Sequence, residues 1–214
     1  MIFDLDGTLV DSRVDLAAST NMMLADLGLP GLAQEQIISY VGEGIAKLVQ
    51  RSLSAVTFGD IPSEMIERAT MIFREHYQSR LTECTSVYPG VLTFLDHFSS
   101  LPMGVVTNKP YDATMPILQG LQLAGYFKSV IGGDSQPERK PSPMPLIRTA
   151  EICNVSPASC MMIGDTHIDI IAGRAAGMKT AGFAGGFRGR PELESAGADL
   201  IFDRYDQLDS ILNS

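Results

Sequence analysis

Short apolar runs recur along this chain at 1–5, 103–107, 129–132, 160–164, 180–184 and 199–202. Each is four or five residues long, and several, such as Met161-Met162-Ile163, show no polar alternation. Continuous apolar runs of this length predict strands covered on both faces. Helical spacing fills the segments between most of them, at 91–100, 113–123, 145–153, 168–176 and 191–195. Strand and helix in alternation predict an α/β fold, a Rossmann-like doubly wound parallel sheet.

One segment breaks the alternation. From about 14 to 85 the apolar positions follow helical spacing alone, as in Ile45, Leu48, Val49 and Leu53. Breaks fall at Gly28-Leu29-Pro30-Gly31, Val41-Gly42-Glu43-Gly44 and Gly59-Asp60-Ile61-Pro62. The expected organisation is a core domain of 1–13 with 86–214 and an inserted helical cap of 14–85. Such a cap would lie over the carboxyl edge of the sheet, where open α/β sheets bind ligands.

Composition narrows the classes. With 214 residues, 45% of them hydrophobic, the chain can hold one good core and a smaller lobe. A net charge of −9 provides no basic stripe and speaks against nucleic acid as a partner. A small anionic substrate needs only a local cationic pocket. Cys84, Cys153 and Cys160 make neither a metal spacing nor an even disulfide set. No apolar run reaches the length of a membrane span, and no signal-peptide pattern opens the chain. The expectation is a soluble cytoplasmic protein with no membrane partner.

The strongest chemical signal is Asp4-Leu5-Asp6-Gly7-Thr8, directly after the first apolar run. Alternation puts Asp4 and Asp6 on one side of the extended chain. At 4 Å and an effective dielectric near 20, two such charges repel by roughly 4 kcal/mol. A fold retains the pair when a cation neutralises it or one carboxyl holds a proton. Three more segments follow predicted strands: Thr107-Asn108, Lys140-Pro141, and Gly164-Asp165 with Asp169. Thr107, Asn108 and Lys140 offer donors for phosphoryl oxygens, and Asp4 and Asp165 offer oxygen ligands for a hard divalent cation. Asp4 can act as a nucleophile and Asp6 as general acid and then base.

These four segments, in order, resemble the motifs of the haloacid dehalogenase superfamily, and the resemblance spans nearly the whole chain. The helical insertion is similar to the small-cap subclass. Tyr40-Val41-Gly42-Glu43-Gly44-Ile45 and Tyr88-Pro89-Gly90-Val91 look most like the phosphoglycolate phosphatases within it. The resemblance implies a Mg²⁺-dependent phosphatase for a small phosphorylated metabolite, with 2-phosphoglycolate foremost, acting through an aspartyl-phosphate. It implies that Asp4 is the nucleophile and Asp6 the acid and base. Thr107 and Lys140 would hold phosphoryl oxygens. Asp4, Asp165 and the Asp6 carbonyl would ligate Mg²⁺, and Asp169 would support them. Thr166-His167-Ile168 departs from the family's usual serine-containing string but keeps a hydroxyl.

Plainer roles stand beside these. A lysine is ordinarily solvated, a Thr-Asn pair ordinarily caps a helix, and acids at a helix start favour its dipole. Gly42 and Gly44 are loop formers first, though their N–H groups could serve a substrate carboxylate. Lys47 and His167 read as surface residues, and Arg188 and Arg190 as part of a mobile Gly-rich loop. Related alternatives are a sugar-phosphate mutase or a pyrophosphatase. A phospho-accepting receiver module is the alternative from another class. The sequence leaves the oligomeric state open.

Overall fold

The computed structural model describes residues 1–213. In chain order, β1 (Ile2–Phe3) and β2 (Val10–Asp11) precede four helices, α1 (Arg13–Asp26), α2 (Gln34–Ile38), α3 (Ile45–Val56) and α4 (Ser63–Gln78). After β3 (Ser86–Val87), helices and strands alternate. They are α5 (Val91–His97), β4 (Gly104–Val106), α6 (Tyr111–Gly120), β5 (Ser129–Ile131), α7 (Met144–Cys153) and β6 (Met161–Gly164). Then follow α8 (His167–Ala175), β7 (Lys179–Phe183), α9 (Arg190–Ala196), β8 (Leu200–Phe202) and α10 (Tyr205–Leu212). The chain divides into two units, 1–11 with 86 onward, and 12–85.

Each of the six apolar runs becomes a strand of one six-stranded sheet in the order β5-β4-β1-β6-β7-β8. Every pairing in it is parallel. β1 lies in the middle, with Ile2 opposite both Gly104 and Met162. The strand order changes direction about β1, which opens a crevice at the carboxyl ends of its neighbours.

Alternation along β1 builds the two cores. Ile2 joins Val106, Ile131, Leu146, Ala150, Met162 and Met178 on one face. Phe3 points the other way, 6.2 Å from Phe94 and 6.0 Å from Phe127 between ring centroids. That second face is aromatic: Tyr205 stands 5.4 Å from Phe94, 5.3 Å from Phe183 and 5.4 Å from Phe202. Burying each such ring stabilises by roughly 1.5–3 kcal/mol.

The sequence pattern had not pointed to α10. Its apolar side chains Tyr205, Leu208 and Leu212 have helical spacing, but the run is short and half polar. It matters to the site, because the Tyr205 hydroxyl donates to the Thr8 carbonyl at 3.0 Å. β2 and β3 were also missed. Two residues each carry no periodic signal, and they pair antiparallel as Val10–Val87 and Asp11–Ser86.

The second unit is helical, as its spacing predicts. Leu48, Val49 and Leu53 of α3 are buried, as are Phe73 and Tyr77 of α4, whose rings stack at 5.5 Å. Buried Asp15 near the start of α1 ties the unit's two ends together. Its carboxylate accepts the Cys84 N–H at 3.0 Å and the Thr85 N–H and hydroxyl at 2.7 Å each. Among the described residues no helix is long and apolar enough to cross a membrane.

Candidate active site

Asp4 leaves β1, Thr107 leaves β4, Asp165 leaves β6, and Lys140 lies in the connection from β5 to α7. The sheet order therefore brings residues from distant parts of the chain to one edge. The Asp4 N–H still donates to the Ile163 carbonyl at 2.9 Å, so the first acid is fixed on the sheet itself.

Lys140 is the hub. Only 1% of its side chain is exposed, and its Nζ lies 2.9 Å from Asp4 Oδ1 and 2.7 Å from Asp169 Oδ1. A lysine this buried is held by paired charge. Asn108 secures the connection, its Nδ2 donating to the Lys140 carbonyl at 2.9 Å. Thr107 is buried, and its Oγ1 accepts the Lys109 N–H at 3.2 Å, which leaves the hydroxyl hydrogen as a donor.

Asp169 is committed on both oxygens. Its Oδ2 accepts the Thr166 hydroxyl at 2.8 Å and the Thr166 N–H at 3.1 Å. Thr166 opens α8 in a capping box, so the hydroxyl retained in this otherwise divergent string has a structural task. Gly164 makes the approach possible, since a Cβ there would collide with the Asp169 carboxyl.

Asp165 is fully buried and likewise bound on both sides. Oδ1 accepts the Thr8 hydroxyl at 2.9 Å and Oδ2 accepts the Phe187 N–H at 2.8 Å. Gly7 has φ +82°, and a side chain there would overlap the Asp165 carboxylate. The Gly-rich loop around Gly186 thus packs against the acid site. A Cβ on Gly186 would strike Asp165 and the Gly7 carbonyl.

The acids crowd one another. Asp4, Asp165 and Asp169 offer carboxylate oxygens that all lie within 4.8 Å. Against three buried carboxylates stands one ammonium, Lys140. Burial pushes the Asp4 carboxyl up to about 6, with Lys140 pulling it down and Asp169 pushing it further up. Burial also raises Asp165 well above the usual range, with Asp169 and Asp4 adding to it. Lys140 is raised despite its burial, because Asp169 and Asp4 favour the ammonium. Two negative charges in excess, buried and presented only by oxygen, fit a hard divalent cation.

Asp6 is placed differently. Lys140 pairs with Asp4 and Asp169, whereas Asp6 pairs with a second lysine. Lys109 Nζ lies 2.8 Å from Asp6 Oδ1 and 2.6 Å from Oδ2, with side chains 4% and 11% exposed. Lys109 was overlooked in the sequence. The available signal was its place in Thr107-Asn108-Lys109-Pro110, a strand-end lysine before proline like Lys140-Pro141.

Gly42 and Gly44 belong to the helical unit, in the turn before α3, with φ +123° and +88°. Lys47 is exposed and donates to Gln50 at 3.3 Å. His167 is exposed, with Nδ1 2.6 Å from Glu192 Oε1. Arg188 lies 3.9 Å from Glu192 and Arg190 2.7 Å from Asp203.

This chain is similar to known proteins. Residues 1–183 match the haloacid dehalogenase-like hydrolase family. A phosphoglycolate phosphatase of Chromobacterium violaceum is 38% identical over 214 residues, covering 99% of this chain and 95% of that protein. One from Neisseria meningitidis is 42% identical over 187 residues, covering 86% and 80%. A crystal structure described as a predicted phosphoglycolate phosphatase from Haemophilus somnus superposes with a TM-score of 0.93 at 30% identity, covering 99% of this chain and 96% of that one. With its motif residues gathered at the sheet's carboxyl edge and the family match running through most of its length, the chain belongs to the haloacid dehalogenase-like hydrolases.

Proposed function

We propose that this hydrolase is a divalent-metal-dependent phosphatase for a small phosphomonoester, with 2-phosphoglycolate as its substrate. The observation that carries the reading is the Lys140 ammonium bridging Asp4 and Asp169, with Asp165 beside them, at the edge where open α/β sheets bind ligands. The choice of 2-phosphoglycolate rests on the similar proteins named phosphoglycolate phosphatase.

Asp4 and Asp165, with the Asp6 carbonyl, would hold Mg²⁺, which when bound neutralises the buried carboxylates and the phosphoryl oxygens. Asp4 attacks phosphorus and the ester P–O bond breaks, leaving an aspartyl-phosphate. Asp6 gives its proton to the departing alkoxide. Water then attacks the phosphorus, Asp6 takes the water's proton, and the bond to Asp4 breaks to release phosphate. Thr107 and Lys140 hold the phosphoryl oxygens meanwhile, and Asp169 fixes Lys140. Gly42 and Gly44 remain the proposed N–H donors for the substrate carboxylate, and a cytoplasmic location is part of the same proposal.

The test is phosphate release from 2-phosphoglycolate, sugar phosphates, nucleotides and pyrophosphate, with and without Mg²⁺. Mg²⁺-dependent turnover led by 2-phosphoglycolate supports the proposal. Preference for pyrophosphate, or interconversion of glucose phosphates without phosphate release, would replace it with the related activity.

A further inference from the structure

We infer that Lys109 is a positioning residue for Asp6 in the water-attack half of the reaction. The inference deepens the proposed phosphatase reading and rests on it. Asp6 stands outside the cluster of Asp4, Asp165 and Asp169, and Lys140 does not reach it among the described ion pairs. Lys109 grips both Asp6 oxygens, at 2.8 and 2.6 Å. Its root is fixed as well: the Lys109 N–H donates to Thr107 Oγ1 at 3.2 Å, and its carbonyl accepts the Gly133 N–H at 2.8 Å. The ammonium is therefore anchored at the end of a sheet strand, and a carboxylate on a loop is anchored to it. Two simultaneous bonds hold both carboxylate oxygens toward the ammonium.

An ammonium contacting both oxygens holds the Asp6 carboxyl in one place. That placement matters when water attacks the aspartyl-phosphate. Water oxygen forms the new bond to phosphorus, its proton passes to Asp6, and the electron pair of the breaking bond returns to Asp4. Misplacing a catalytic group by about 1 Å can cost on the order of 10²-fold in rate. Losing the Lys109 anchor should therefore act on this step first.

p-Nitrophenyl phosphate separates the steps, because p-nitrophenolate departs without being protonated. With K109M, the expected result is a burst of about one equivalent of p-nitrophenolate, then a steady rate about tenfold or more below wild type. KM should change far less than kcat, and K109R should recover part of the rate. On the D6N background, K109M should have almost no further effect, because the two residues act as a unit. A merely structural role gives a different pattern, a lower melting temperature and a uniform loss without a burst. That pattern, an unchanged rate in K109M, or effects of K109M and D6N that simply multiply, overturns the assignment. If wild type hydrolyses phosphomonoesters and K109M does so equally well, only the Lys109 assignment fails. If wild type releases no phosphate from any of them, the phosphatase reading fails and takes this assignment with it.

Discussion

Two lysines serve the same sheet edge in different ways. Lys140 is sealed between Asp4 and Asp169, while Lys109 grips both oxygens of Asp6. The inner lysine holds together a cluster that still carries excess negative charge. The outer one forms an ion pair with Asp6. Charge surplus in a buried site creates demand for a cation, whereas an ion pair orients without such demand. Under the proposed function, the difference separates the residues that bind from those that handle protons and water.

Breaking the inner cluster should have the largest effect. Asp4→Asn removes the proposed nucleophile, and phosphate release should fall by at least about 10³-fold while circular dichroism remains native. Retained turnover would end its assignment. Lys140→Met should abolish most activity and also destabilise, by roughly 3–5 kcal/mol, since it leaves two buried carboxylates unpaired. Urea denaturation measures that loss, and a smaller effect than that of Lys109→Met would invert the comparison.

The inner cluster should also respond to pH. The Asp4 carboxyl is raised in the fold from 3.8 to about 6, so its stabilising contribution is complete below about 4 and lost as pH rises through 6. Asp165 shifts in the same direction. Added Mg²⁺ should therefore raise the melting temperature more at pH 7.5 than at pH 5, by differential scanning fluorimetry. Equal shifts at both values would break the link between charge surplus and cation demand.

Smaller effects lie in the helical unit. Asp15→Ala removes the acceptor for Cys84 and Thr85 and should lower stability by about 2–3 kcal/mol. Lys47→Ala should alter neither melting temperature nor turnover, as its one described bond, to Gln50, is exposed. A large loss of turnover there would give that lysine a role in specificity.

What could be read from the sequence follows the same physics. Continuous apolar runs gave all six parallel strands, because doubly covered strands leave a strong local signature. Asp4, Thr107, Lys140, Asp165 and Asp169 were recognisable because each directly follows a strand or sits in a characteristic string. Lys109 was missed because its one local signal, a Lys-Pro step at a strand end, is slight, and its importance comes from a partner 103 positions away. The Phe187 N–H and Tyr205 were missed for a related reason. They act through a backbone donor and a distant helix, neither of which side-chain identity reveals.

The antiparallel pairing of β2 with β3 sets Asp11 directly across from Ser86. The two crossings between the units are therefore neighbours in space, although 75 positions of sequence separate them. Everything from 12 to 85 could be cut away and the ends rejoined by a tight turn, with the parallel strands keeping their register. A segment joined in this way could differ in length and shape without disturbing the register of the parallel strands.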